Sequence, residues 1–388
     1  MTNTPPFQTP DAILSGAGSS TQIGPEVLKI GIHRPLVVTD PGVAGSGILD
    51  RVVSGLEEAG LKVSTFRDAA ADPPVGVVQA AAEAYRESGS DGFIGLGGGS
   101  SIDAAKAAAV VAANGGTAVD YEGPREAYPV SPPSLVAIPT TAGTGSEVGA
   151  AAVITDPKRR NKFVVICPAI RPRLAVLDPE VLAGLPPTVA AHSTLDALSH
   201  IVESYVSNGR TLMTETLALG AAGRWADGLH RYLKDRSDPG ASETMIFASC
   251  MAGMSMSNAG LGLVHALAHP FGAMTQIPHG AACAMFMPHV IRFNASAVEK
   301  DYALLAEVLA PALWSEGDRP QKMTAEALAD AIARLADQAG APRRLSEIER
   351  SAVLPENILE TILNSFQRRT NPRPVDREDV ERIWQEVQ

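Results

Sequence analysis

Residues 94–106, IGLGGGSSIDAAK, decide how the first half of this chain folds. An apolar run, Asp91–Leu96, stops at Gly97-Gly98-Gly99, and an alanine-rich segment, Ser101–Ala113, follows almost at once. The order reads as strand, glycine turn and helix. The turn also suggests chemistry. Glycines let the backbone approach a ligand closely and adopt positive φ. The helix beyond them offers unpaired N–H groups and a positive dipole end, which suits a diphosphate. Ser100 and Asp103 have the spacing of a capping box on the same turn. The pattern is not G-x-G-x-x-G, and a plain capped turn would need fewer glycines.

Outward from this unit the same alternation recurs. Pro35–Thr39 reads as a strand ending in the turn Asp40-Pro41-Gly42. Gly47–Ala59 has helical periodicity, Lys62–Phe66 is a strand, Val75–Arg86 a helix, and Ser134–Pro139 a strand. Strands alternating with helices predict an α/β fold: a doubly wound, mostly parallel sheet covered on both faces. Between Ala150 and Asp178 three short strands, AAVIT, KFVVI and LAVLD, either extend the sheet or form a small ribbon. After Leu185-Pro186-Pro187 only helical patterns follow, including Thr188–Val206, Ser242–Ser257, Ala281–Ala295 and Val298–Leu309. The boundary near Gly184–Thr188 gives an α/β domain, 1–186, and an all-helical domain, 187–388.

Parallel sheets place ligand loops at the carboxyl ends of their strands. A second polar turn, Pro139-Thr140-Thr141-Ala142-Gly143-Thr144-Gly145, stands at such an end beside Gly97–Gly99. Hydroxyls of Thr140, Thr141 and Thr144 suit a ribose or an amide. Asp40, at the end of the first strand read here, suits ribose hydroxyls and would repel a 2′-phosphate, favouring NAD over NADP. A turn initiator before Pro41 is its competing reading.

A different chemistry sits in Gly260–Gly280, GLGLVHALAHPFGAMTQIPHG. His265 and His269 are four apart and share a helix face, and His279 follows Pro278. Upstream, Asp196 and His200 repeat the four-residue offset. Asp196, His200, His265 and His279 together could hold one divalent ion, Fe2+ or Zn2+. Any one of these histidines alone would read as a hydrogen-bonded core residue.

The totals exclude several classes. A net charge of −11 over 388 residues argues against nucleic acid and anionic membrane surfaces. Three widely spaced cysteines without a CxxC read as buried thiols in a reducing compartment. The start, MTNTPPFQTP, lacks the basic and apolar regions of a secretory leader, and no apolar run reaches membrane-span length. A cytoplasmic setting is the expectation.

Several long motifs in order, GGGSSIDAAK (97–106), PTTAGTGSEV (139–148), LDALSHIVESYVS (195–207), GLVHALAHPFG (262–272) with PHG (278–280), and TNPRP (370–374), resemble the iron-containing (group III) alcohol dehydrogenase family, which includes lactaldehyde and propanediol oxidoreductases. The resemblance spans nearly the whole chain. It implies a dinucleotide domain and an all-helical domain, with metal and nicotinamide meeting in a cleft. It puts the metal ligands on Asp196, His200, His265 and His279, and His269 near metal and substrate. It puts cofactor contacts on Asp40, Gly98, Gly99, Ser100, Thr140, Thr141, Thr144 and Lys162. It implies NAD, a metal, a small alcohol or aldehyde as substrate, and a homodimer.

The expected activity is hydride transfer between NAD(H) and a primary alcohol or aldehyde, the metal polarising the substrate oxygen. His269 is the expected proton relay, with a substrate-orienting role as its rival. The sequence departs from the family's pattern at Ser193-Thr194-Leu195, at the small residues 149–152, at Asp72 and at Cys283, the last two standing where asparagine is common. A maleylacetate-reductase-like enzyme and a dehydroquinate-synthase-like lyase are the alternatives. A lyase acting on a phosphorylated acid would need clustered cations near the metal, and windows 193–206 and 260–295 hold only Arg292.

Overall fold

The structure, a computed structural model, describes residues 6–159, 161–348 and 353–388. Met1–Pro5, half of the segment read as no leader, lie outside the described residues. Two compact units emerge. Among the described residues, one comprises those of Thr9–Leu185 with Asp235–Ile246; the other comprises those of Pro186–Lys234 and Phe247–Gln388 together with those that precede Thr9.

The first unit is built on a six-stranded sheet. Its strands are β1 (Ala12–Ser15), β2 (Pro35–Val38), β3 (Ser64–Phe66), β4 (Gly92–Gly97), β6 (Leu135–Pro139) and β9 (Leu174–Leu177), in the order β1-β9-β6-β4-β2-β3. Every neighbouring pair is parallel. Side chains alternate between two cores, as the two-residue period of a strand requires. Leu36, Val38 and Phe93 pack on one face with helices α4 (Val75–Glu87) and α5 (Gly99–Asn114). Val37, Ile94, Leu96, Val136 and Ile138 pack on the other with α1 (Gly24–Lys29) and α3 (Ile48–Glu58). This is the doubly wound α/β sheet expected from the alternation.

The three late strands divide between the two expected outcomes. LAVL becomes β9 and extends the sheet. β7 (Ala151–Asp156) and β8 (Asn161–Ile166) pair antiparallel, with β5 (Gly123–Pro124) on the outer side of β8, as a separate three-stranded ribbon. One local expectation is corrected, and one element carried no signal. Asp40-Pro41-Gly42 is not a simple turn: Pro41 opens a short helix, α2 (Pro41–Gly45), with Asp40 as its N-cap. Strand β1 gave no signal because it is an exposed edge with no buried alternation.

The second unit is helical. Its main elements are α6 (Pro187–Val206), α7 (Leu212–Lys234), α8 (Pro239–Ala259, beginning in the first unit), α9 (Leu263–Thr275), α10 (His279–Leu313), α11 (Ala325–Gln338), α12 (Glu356–Asn364) and α13 (Arg377–Glu386). The two helices read at 281–295 and 298–309 are one kinked element, with Val298 at φ −139° and ψ 33°. No helix among the described residues is long and apolar enough to cross a membrane.

Candidate functional site

Helix α6 carries Asp196 and His200 on its buried side, and α9 carries His265 and His269. His279 is the first residue of α10, after Pro278. The approach of α10 to α6 depends on Gly280. A Cβ there would lie 1.9 Å from the backbone oxygen of His192 and 3.2 Å from the Asp196 Cβ. Only glycine lets the two helices close to this distance, and that contact brings His279 to Asp196.

The donors converge on one carboxylate oxygen. Asp196 Oδ1 lies 3.5 Å from His279 Nε2, 3.7 Å from His200 Nε2 and 3.9 Å from His265 Nε2. The His200 ring stacks on His265 with centroids 4.9 Å apart. Asp196 is 3% exposed, and its Oδ1 has no hydrogen-bond partner among the described residues. A buried carboxylate oxygen left so is costly unless a cation compensates it. Donors held 2.0–2.3 Å from a shared ion sit roughly 3–3.6 Å apart, close to the edges seen here.

Two partners whose roles sequence reasoning passed over fix His265 and the start of α9. Glu203 Oε2 lies 2.6 Å from His265 Nδ1, and Glu203 Oε1 accepts the Val264 N–H at 2.6 Å. Asn371 Oδ1 accepts the Leu263 N–H at 3.2 Å. These bonds satisfy amides that the first turn of α9 leaves unpaired, and Glu203 locks the helix to α6. With Nδ1–H given to Glu203, the His265 Nε2 lone pair faces Asp196, the tautomer a metal needs. Burial holds His265 down at about 3, so its imidazole is neutral, and pushes Glu203 up to about 7. A signal for Glu203 was present: it follows Asp196 by seven residues and so shares its helix face.

The tightest mutual set also includes a residue outside the expected quartet. Ligand atoms of Asp196, His265, His279 and Cys283 all lie within 4.8 Å of one another. His200 joins the cluster through Asp196 and the His265 ring. His269 sits beside it, its ring centroid 5.7 Å from His265 and 5.1 Å from His279, and its Nδ1 is 3.3 Å from Gln367 Nε2.

In the first unit, the two glycine-containing turns lie side by side. Thr140 N–H donates to Gly97 O at 2.9 Å. Gly97 has φ +149°, and a Cβ there would meet Ser101 Oγ at 2.5 Å and Asp40 Oδ2 at 3.0 Å; one on Gly99 would meet Thr144 at 2.8 Å. The glycines are thus required by close approach. Asp40 Oδ1 accepts the Val43 N–H, capping α2, while Oδ2 accepts from Ser101 Oγ at 3.2 Å. Asp40 therefore fills its competing role as well as facing the start of α5. Thr141 Oγ1 is buried without a hydrogen-bond partner among the described residues, as a group awaiting a ligand would be.

The expected capping box does not form. Gly98 is the N-cap of α5 and no side chain caps it. Ser100 Oγ instead accepts the Asp72 N–H at 3.1 Å. Asp103 is turned into the protein, accepting from Ser146 Oγ at 2.5 Å and from Val153 N at 2.9 Å rather than capping α5. Lys162 comes to the same turn through Asp72, with Nζ 2.7 Å from Oδ1. Lys106, which sequence reasoning did not single out, is fully buried and donates to Ser146 O, Ser146 Oγ and Ala151 O at 2.7, 2.9 and 2.8 Å. It ties the second turn to β7.

Comparison with known proteins bears on the family and the fold. The family model described as "Iron-containing alcohol dehydrogenase" matches residues 10–179, and that described as "Fe-containing alcohol dehydrogenase family, C-terminal" matches 190–387. The chain is 35% identical to the NAD-dependent methanol dehydrogenase of Bacillus methanolicus, covering 99% of each. It is 33% identical to the lactaldehyde reductase of Escherichia coli K12, covering 95% of this chain and 96% of that one. A solved 1,3-propanediol oxidoreductase superposes with a TM-score of 0.91 at 30% identity, covering 99% of each chain.

Proposed function

We propose that this chain, which belongs to the iron-containing alcohol dehydrogenase family, transfers a hydride between NAD(H) and a primary alcohol or its aldehyde. The observation that carries the reading is the buried, unpartnered Oδ1 of Asp196, faced by three imidazole Nε2 atoms. A divalent metal, Fe2+ with Zn2+ as the alternative, would supply Lewis acidity to the substrate oxygen, and NAD would be the hydride carrier. Asp196, His200, His265 and His279 would hold the metal.

The chain's own residues supply orientation and charge. Asp196 offsets part of the positive charge, and Glu203 keeps His265 in its neutral, Nε2-donating tautomer. Gln367, donating to His269 Nδ1, leaves the proton of that ring on Nε2, the atom from which His269 would exchange a proton with substrate. Asp40, Gly97–Ser100, Thr140, Thr141, Thr144 and Lys162 would hold the cofactor, and the unpaired amides at the start of α5 would suit its diphosphate. The carboxylate of Asp40 favours NAD. On this reading residues 1–186 bind the dinucleotide and 187–388 the metal, and the protein works as a cytoplasmic homodimer. Its three cysteines, buried with no disulfide among the described residues, suit that setting.

Small aldehydes are the substrate class, in keeping with the names of the relatives. The lyase alternative finds no support: Arg292 pairs with Glu326 and Asp330 on α11. The test is a panel of short aldehydes and primary alcohols, assayed with NAD(H) and NADP(H) on Fe(II)-reconstituted protein. Turnover of short aldehydes with NADH supports the assignment. Metal-loaded protein inert across the whole panel would sink it.

A further inference from the structure

We propose that the sulfur of Cys283 is a further donor to the metal that Asp196, His200, His265 and His279 would hold. The proposal rests on reading this cluster as a metal site, and it adds a ligand of a different chemical kind. Cys283 stands on α10 one turn beyond His279, so both project from the same helix face. Its Sγ is 3.6 Å from His279 Nε2 and 3.9 Å from His265 Nε2, and it lies within 4.8 Å of an Asp196 carboxylate oxygen. A sulfur about 2.3 Å and a nitrogen about 2.0–2.1 Å from one ion, at the 90–120° angles of five-coordination, lie roughly 3.1–3.8 Å apart, so the observed edges need only small adjustment.

The second, independent pointer is Asp196. Its Oδ1 is buried, has no hydrogen-bond partner among the described residues, and faces the same point. Cys283 is wholly buried, so its thiol reaches that point and not solvent.

Coordination here is a simple exchange. The S–H bond breaks, the proton leaves to solvent, and the thiolate sulfur gives its electron pair to the ion; no oxidant or reductant is involved. The consequence is a change in metal preference. Imidazole and carboxylate accept iron and zinc alike, whereas thiolate moves the balance toward zinc and cobalt(II). Two anionic donors, Asp196 and Cys283, would also neutralise a dication that the aspartate alone leaves positive.

The test uses full-length protein stripped of metal and loaded with Co(II), whose near-ultraviolet thiolate-to-metal charge-transfer band reports a Co–S bond independently of activity. Wild type should show the band at one cobalt per chain. Cys283→Ser and Cys283→Ala, with Cys167 and Cys250 intact, should bind cobalt through the remaining donors but lose the band. In competition with a chromophoric chelator the variants should hold Zn(II) about tenfold more weakly, or worse, with a smaller change for Fe(II). Wild-type protein that binds one Co(II) without the band, or a variant that keeps it, overturns the role of Cys283 and leaves the metal site standing. Wild-type protein that binds neither Co(II) nor Zn(II) overturns both. The wild-type spectrum decides even if a variant folds poorly.

Discussion

Glu203 on α6 reaches across to α9, its Oε2 2.6 Å from His265 Nδ1 while its other oxygen takes the Val264 N–H. One buried side chain therefore sets both the position of α9 and the tautomer of a proposed ligand.

Glu203→Ala should weaken metal binding about 10–100-fold, because the imidazole loses the group that orients it. It should also cost about 1–3 kcal/mol in stability through the abandoned Val264 amide. Glu203→Gln, which keeps an acceptor, should retain more of both. Metal titration with parallel thermal unfolding reads the two effects. Equal metal affinity in Glu203→Ala and wild type would contradict the role.

Asp196 pulls stability and function in opposite directions. Its unpartnered oxygen is a burden without metal and a ligand with it. Asp196→Ala should abolish metal binding and activity, yet leave the metal-free protein at least as resistant to unfolding as metal-free wild type. Unfolding curves with and without added metal check this. Only wild type should gain stability from the ion.

Gly280 closes α10 onto α6, with no space for a Cβ against the His192 carbonyl. Gly280→Ala should lower stability by about 1–3 kcal/mol and reduce metal occupancy as His279 moves away from Asp196. A variant with wild-type melting temperature and full metal content would show that this approach is not needed.

Asp40→Ser keeps an oxygen for the Val43 N–H and removes the carboxylate. The ratio of kcat/KM for NADH over NADPH should fall by about tenfold, the scale of a lost charge repulsion of roughly 1.4 kcal/mol. Little change in thermal stability should accompany it. An unchanged ratio would return Asp40 to its capping role alone.

Burial raises the Glu147 carboxyl from 4.5 to about 7. The folded chain then binds this proton more tightly than the unfolded chain. Its contribution to stability is complete below about pH 4.5 and falls as pH rises through 7. Burial lowers Lys106 to about 8, and that group titrates above this window. Glu147→Gln should remove the slope, gaining up to about 3 kcal/mol on wild type between pH 4.5 and 7. Denaturant unfolding across that range measures the difference.

Most of the sheet was legible because Leu36-Val37-Val38 and Phe93–Leu96 are buried strands bounded by turn residues. Strand β1 was not, since an exposed edge carries no buried pattern. The histidine and aspartate offsets were legible because four residues make one helical turn. What stayed hidden depends on side chains that meet only after folding: Gln367 against His269, Cys283 against His265, and Lys106 threading back to Ser146 and Ala151. Asp103 shows the converse. Its local spacing fits a cap, but a buried lysine and Ser146 compete for the carboxylate and win.

The central claim is that the cluster around Asp196 holds a metal on which alcohol–aldehyde chemistry depends. Its most direct test follows NADH oxidation by a short aldehyde while metal content is measured on the same sample, before chelation, after chelation and after Fe(II) is returned. The predicted result is activity that disappears with the metal and returns in proportion to it at one ion per chain, with Asp196→Ala failing to recover. Activity that survives complete metal removal, or that recovers equally in Asp196→Ala, would contradict the account.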